Sequence, residues 1–588
     1  MTIPKEVLSD YKELFEQANH LVEDESKSDP PTEPYRSHYK ARDVLLALKK
    51  MLDDQLVSLQ ASEADGGSEE LVYKAMLGFV QRDLGRIHIF TEESSEGEKY
   101  LLRCLELLEP HKQRPECIIA YMGAINELSI VLGSRQEYKT AAELLLKAEQ
   151  SYQEFKQSGQ VALALSDLHN PGGEVQGSQE LEQIYTLCGF YLAQMYGHIG
   201  EPEKSAQCCH RTLYRQLQYK SYDPIDFALN TATLSQYYIG KDRFKEARHH
   251  LAAATIIMAE HEATMLKPEM SEQQRADYTE TFKHRYADVA RCWAKYGLSL
   301  LQVSKERLLA DDDDEEGGDK LSKATAKLDL AEQDYRFVEL DLAACENRVS
   351  CDFCLTFDDA KLVFHFVNEW LDVAKDYYKA DTEATEYAKI MQDFAEAYEQ
   401  IAFFEDNPEN QAKMQKRRAK YLEELLDLLD PVFYLKICRE CWYVAGTAHA
   451  AVVDIRVDSM KAQQSPTPEE VKKLNQSCLK AIKHFESYVK SYLVDNTEQW
   501  RSNMELGEQR LMLYAHFHIG RLYYKLIAAH PQQQLEQLNQ CLRYYQRFRD
   551  ECAEHKEASA PLHGEIGVVR EMLELLPLKI VTVKRRLE

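Results

Sequence analysis

No run of apolar residues in this chain is long enough to cross a bilayer: nothing in its 588 residues approaches the roughly 18 uncharged positions that a spanning helix needs. The first fifteen residues, MTIPKEVLSDYKELF, lack the basic-then-apolar order of a secretory signal. The expectation is a cytoplasmic protein with no membrane insertion. Basic charge is also short. With 98 acidic residues against 71 basic ones the net charge is −27, which argues against nucleic acid or an anionic membrane as partner, because phosphate binding draws its affinity from lysine and arginine patches. The same surplus suits a partner with a basic face.

Signatures of chemistry are missing as well. There is no GxxxxGK[ST] phosphate loop, no GxGxxG after a strand, no GxSxG elbow and no HExxH. The chain therefore reads as no enzyme, with no small-molecule substrate and no cofactor. Its 14 cysteines are scattered through helical patterns and not spaced as a small disulfide framework, in keeping with a reducing compartment. Two CxxC pairs occur, Cys351/Cys354 and Cys438/Cys441, but they stand 87 residues apart (351 to 438), against roughly 15–20 in a zinc ribbon. The second pair also sits in a helical pattern, where that spacing places two small residues on one face. No metal site is expected, and His249 and His250 beside Arg248 read as surface or packing residues of a helix.

What the chain has is a repeat. Leu192, Ala193 and Tyr196 lead to Ser205, Cys209 and Thr212; Leu234, Ser235 and Tyr238 lead to Phe244, Ala247, Leu251 and Ala254 at matching offsets. Each set puts an apolar stripe on two helices, with small residues where they approach and a tyrosine filling the gap, the pattern of a tetratricopeptide hairpin. Ala193 and Ser235 are 42 positions apart, longer than the roughly 34 of the standard repeat, so helices or turns are extended. Earlier copies run through Leu84, Gly85, His88, Gly97, Leu101 and Cys104, with a long turn between the helices, and through Leu128, Ser129, Leu132, Tyr138, Ala141, Leu145 and Ala148.

Amphipathic spacing from Val7 to Ala18 predicts a first helix, and a second covers 35–59. Residues 62–68 and the stretch around Asn170-Pro171-Gly172-Gly173 read as loops. Residues 311–320, DDDDEEGGDK, interrupt the pattern. They read as a solvated linker, since like charges repel and glycines oppose helix; a cation site would need the alternating ligands of a calcium loop. The expected organisation is thus a helical half at 1–308, an acidic linker at 309–320 and a second half at 321–588. In the second half, Asn407-Pro408, Asp430-Pro431, Pro466-Thr467-Pro468 and His530-Pro531 punctuate successive helices, and the chain ends in a helix from Gly564 with a frayed basic tail after Leu575. The basic run Lys416-Arg417-Arg418 reads either as a localisation signal or as a helix face paired with Glu423 and Glu424.

With no chemistry to place, a recognition surface remains. In a tetratricopeptide array the first helix of each hairpin lines the concave side. There Tyr191 and Gln194 in YLAQ match Thr233 and Gln236 in TLSQ, each pair three residues apart and so on one face. No Lys/Asn/Arg set forms a carboxylate clamp at these positions, which makes a receptor for chaperone tails the weaker alternative.

Longer stretches carry a resemblance. YRSHYKARDVL from Tyr35, TEESSEGEKYLLRCL from Thr91, YLAQMYGHIGEPEKSAQCCHRTLYRQL from Tyr191, PIDFALNTATLSQYYI from Pro224, ARCWAKYGLSLL from Ala290 and IAFFEDNPENQAKMQKRRAKYLEEL from Ile401 together resemble the kinesin-binding protein family over nearly the whole chain. The resemblance implies an all-α, right-handed α-solenoid of tetratricopeptide-like helix pairs in two halves, with no catalytic activity. It implies binding to kinesin motor domains, mostly inhibiting microtubule attachment, and a cytoskeleton-associated role in axonal transport and axon outgrowth. In the family the concave face grips the motor's microtubule-binding helix; by position Tyr191, Gln194, Gln216, Thr233 and Gln236 match residues at that contact. The 62–68 loop and the acidic run differ from the family pattern. The alternative is a general scaffold or co-chaperone that binds peptide tails.

Overall fold

The computed structural model describes residues 5–61, 67–169, 176–267, 270–313, 335–461, 466–494, 499–501 and 503–587. Most of the acidic run (314–320), the centre of the first loop (62–66) and Asn170-Pro171-Gly172-Gly173 lie outside them. Among the described residues the chain is helical, with no strand beyond one antiparallel bridge between Leu493 and Trp500. Backbone packing divides it into two compact units, 1–227 with 337–339, and 228–336 with 340–588.

The first unit is built from α1 (Lys5–Glu23), α2 (Arg36–Ala61), α3 (Gly67–Phe90), α4 (Ser94–Leu108), α5 (Ile118–Ser134), α6 (Tyr138–Gln157), the short α7 (Leu165–His169), α8 (Gly177–Ile199) and α9 (Pro202–Gln218). Apart from α7, each helix packs on the one that follows, and α3 with α5 and α5 with α8 also meet. This next-neighbour pattern is that of a helical solenoid. Small residues set the approach. A Cβ built on Gly85 would stand 2.6 Å from the side chain of Leu101 and 3.2 Å from the carbonyl oxygen of Gly97, so α3 and α4 touch almost backbone to backbone. Thr91, Glu92 and Glu93 alone join these helices; the long turn expected there is absent, because Glu92 takes up a positive φ of 65° and reverses the chain at once.

Helix α10 (Pro224–Ile239) continues into the second unit, followed by α11 (Phe244–Thr264), the long α12 (Glu272–Asp313), α13 (Ala343–Glu346), α14 (Phe357–Tyr377), α15 (Ala384–Phe404), α16 (Pro408–Leu428), α17 (Pro431–Lys461), α18 (Pro468–Tyr492), α19 (Leu506–Lys525), α20 (Pro531–Glu554), α21 (Lys556–Ser559) and α22 (His563–Lys584). Among the described residues six helices open on proline: Pro202, Pro224, Pro408, Pro431, Pro468 and Pro531. Proline suits that position because its missing N–H is one that no helix could satisfy there. Asn407 and Thr467 cap their helices from the preceding position, Thr467 in a reciprocal capping box with Glu470. The last helix runs on to Lys584 through Pro577 and buries Leu576, Ile580 and Val583. The tail expected to fray is held by that apolar spacing.

Trp293 of α12 is fully buried, its indole N–H donating to Thr255 Oγ1 at 2.8 Å and its ring lying near parallel to Trp370. One turn on, the Cβ that Gly297 lacks would fall 2.3 Å from Val367 Cγ2 and 3.3 Å from Val363 Cγ1. Eleven of the 14 cysteines are buried, and burial pushes thiols such as Cys104 and Cys441 up to about 12. They act as small packing residues.

Two outcomes are expected from this packing. Gly297→Ala forces a methyl group against a branched side chain that has no flexible end, so it lowers stability by about 1–3 kcal/mol, read as a drop in melting temperature; an unchanged midpoint would show that α12 and α14 can part freely. Burial, reinforced by Glu396, pushes the Asp393 carboxyl up to about 7 despite Arg291 and Lys295, and its Oδ2 is buried without a hydrogen-bond partner among the described residues. Its native value lies above its ordinary 3.8, so the folded state holds the proton longer and stability falls as pH rises between those two values. Asp393→Asn should flatten that fall and raise the melting temperature at pH 8; an unaltered pH profile would assign the dependence elsewhere.

Candidate partner-binding faces

Helix α8 is positioned from behind by a buried ion cluster. Glu182 accepts hydrogen bonds from Tyr152 at 2.6 Å and Lys156 at 2.9 Å, and pairs with Arg215 of α9. Burial alone would push its carboxyl up; these donors outweigh it and hold it below the usual range. Tyr185, stacked on Tyr152 with centroids 3.7 Å apart, donates to Glu149 at 3.0 Å, and Glu149 also takes Arg211 of α9 at 2.6 Å. Three helices, α6, α8 and α9, are thereby fixed in register, with Leu181, Leu192 and Ala193 of α8 buried.

The opposite side of α8 is open. Leu187 and Phe190 are 48% and 40% exposed, Tyr191 is half-buried and Gln194 exposed. Residues 187, 190, 191 and 194 follow the i, i+3, i+4, i+7 spacing of a single helix face. Phe190 meets Tyr191 edge-on at 5.7 Å. The Tyr191 hydroxyl is pushed up by burial and by the nearby Glu127 of α5. Glu127 and Glu180 are themselves raised by burial, which exceeds the pull of Arg86 and Arg82 on the first and of Arg82 on the second; Arg82 lies between Asp83 at 3.0 Å and Glu180 at 3.9 Å. An aromatic and aliphatic row with acidic neighbours is the result. Leu187 and Phe190 escape a reading for matched polar positions, although their spacing from Gln194 was available.

Gln216 lies on α9, half-buried, with its Oε1 enclosed and unpartnered among the described residues. On α10, which belongs from residue 228 onward to the second unit, Thr233 is exposed and Gln236 half-buried, its Nε2 3.2 Å from Ser235 Oγ. Asn230 and Tyr237 extend this polar row at i−3 and i+4 from Thr233, while Thr231, Ser235 and Tyr238 are buried behind it. Tyr191 and Gln194 thus share one face of α8, and Thr233 and Gln236 one face of α10.

The family model described as KIF-1 binding protein C terminal matches residues 225–583. A KIF-binding protein of Drosophila melanogaster is 69% identical over 594 residues, spanning 100% of this chain and 99% of that one. Those of Gallus gallus and Homo sapiens are 34% and 32% identical, with 97% or more of each chain covered. A KIFBP structure from cryo-electron microscopy superposes with a TM-score of 0.64 at 26% identity, covering 94% of this chain and 96% of that one. Similarity that runs from end to end in sequence, and is matched by the same all-helical fold, establishes that this chain belongs to the KIF-binding protein family.

Proposed function

We propose that this protein binds kinesin motor domains and regulates them, mostly by keeping them off microtubules. The observation that carries the reading is the end-to-end similarity to relatives named for binding KIF proteins. The surface chemistry supports it. A motor face that docks on an acidic filament is basic, and a chain of net charge −27 attracts it by complementary charge. The row Leu187, Phe190, Tyr191 and Gln194 on α8 offers an apolar, hydrogen-bonding strip of the kind that receives an amphipathic helix. Gln216, Thr233 and Gln236 supply further amide and hydroxyl groups.

Occupying the filament-binding face needs no catalysis. The protein acts by occlusion, in the cytoplasm and beside the cytoskeleton, with consequences for axonal transport, microtubule organisation and axon outgrowth. Nucleic acid, membrane insertion and small-molecule substrates have no part in it.

The test is co-sedimentation of purified kinesin motor domains with microtubules, with and without the protein. The protein is expected to move motors into the supernatant, and Gln194→Ala/Gln236→Ala to weaken this by about 1–3 kcal/mol, the value of two lost hydrogen-bonding groups. Motors that stay with the filament whether or not the protein is present would overturn inhibition and favour a scaffold that binds peptide tails. Affinity measured from 50 to 300 mM salt is expected to fall steadily; a flat dependence would remove charge complementarity from the account.

A further inference from the structure

Three consecutive helices of the second unit bring together two imidazoles and a carboxylate that no local motif announces. Glu423 lies on α16, His449 on α17 and His484 on α18. Glu423 Oε1 is 2.9 Å from His449 Nε2 and 3.2 Å from His484 Nε2, and the three candidate ligand atoms all fall within 4.8 Å of one another. The two rings are nearly parallel, 7° apart with centroids at 5.9 Å, so both present the same nitrogen to one point.

Zinc bonds to nitrogen and carboxylate oxygen are about 2.0–2.2 Å long, which puts the donor atoms of a tetrahedral site about 3.3 Å apart. The two oxygen–nitrogen separations fall just short of that value and no pair exceeds 4.8 Å, so a small rotation of the side chains about their χ angles makes room for an ion. His449 and His484 are 5% and 9% exposed, whereas the Glu423 side chain is 25% exposed. The imidazoles are therefore held by packing, and the solvent side leaves a fourth position for water. Two nitrogens and one carboxylate oxygen form the donor set of three-ligand zinc sites and do not suit magnesium or calcium, which take oxygen.

We propose that Glu423, His449 and His484 bind a zinc ion that ties α16, α17 and α18 together. Lys480, one turn before His484, now neutralises Glu423 with its ammonium 3.0 Å from both carboxylate oxygens. Its side chain is half-exposed and swings into solvent when the ion arrives, so ammonium and zinc compete for one carboxylate. Nδ1 of His449 is enclosed without a hydrogen-bond partner among the described residues. The site thus lacks the acceptor that orients many zinc-bound imidazoles, and with three protein ligands it binds less tightly than four-ligand structural zinc.

The experiment is equilibrium dialysis of the untagged full chain against zinc chloride, with bound metal counted by mass spectrometry and melting temperature followed in parallel. One zinc per chain is expected, with a melting temperature that rises with zinc and not with magnesium, because an ion bound only by the folded state stabilises it. Glu423→Gln, which keeps the shape of the side chain, and His484→Ala should each weaken binding roughly tenfold or more. Lys480→Met, on the surface and harmless to folding, should tighten it by removing the competing cation. Zinc binding that is equal in wild type, Glu423→Gln and Lys480→Met would place the ion on other histidines of the chain and overturn the site, as would the absence of any bound zinc.

Discussion

Helices in this protein approach until there is no room for a side chain between them, and the remainder of the architecture follows from that proximity. At Gly97 the limit is set by the backbone of Gly85, at Gly85 by the Leu101 side chain, and at Gly297 by the branched Val367. Alanines such as Ala141, Ala148 and Ala247, all fully buried, hold the same role where a methyl group fits. Because the inner seam is filled by small residues and aromatic plugs such as Tyr238, the large side chains of each helix point either to the next helix or outward. An outward row like that of α8 is the counterpart of a seam that has no space for it.

Charge is arranged with the same economy. Most of the acidic surplus meets solvent, yet several carboxylates are drawn inside, and each answers a different need. Glu182 and Glu149 pin neighbouring helices through arginine and tyrosine. Glu127 and Glu180 stand near the open face of α8, where Arg86 and Arg82 face Glu127 and Arg82 faces Glu180, and both arginines also pair with Asp83. A carboxylate of the first kind is satisfied by its own fold. One of the second kind has capacity left for a cation supplied from outside.

Helix existence was legible wherever punctuation and periodicity agreed. The prolines before α16, α17, α18 and α20 mark starts because proline is tolerated at the first helical position and excluded from the interior. The same rule misleads at Pro577, where burial of Leu576, Ile580 and Val583 carries α22 past a residue that ordinarily stops it. The tight turn after Phe90 is hidden in the sequence for a different reason: a non-glycine residue at positive φ gives no compositional sign. Pairing was the least legible. Arg418 near Glu423 suggested a local ion pair, but Arg418 is buried toward Glu399 and Glu423 turns to His449 and His484, 26 and 61 residues away. Spacing along one helix reports which residues share a face, and is silent on which other helix that face meets. The row on α8 is likewise only half legible: its polar members Tyr191 and Gln194 have polar counterparts in Thr233 and Gln236, whereas Leu187 is matched by another leucine, Leu229, and Phe190 stands opposite Ala232.

Contacts that run mainly between consecutive helices have a bearing on how such a chain comes into being. Each hairpin can bury its seam as soon as its second helix exists, without waiting for distant sequence, so closure entropy is small and structure can accumulate from the N-terminus while the rest is still being synthesised. The corollary is mechanical. A stack held by nearest-neighbour seams yields locally, one seam at a time, and can bend under load or part at a single hairpin while its other turns stay folded.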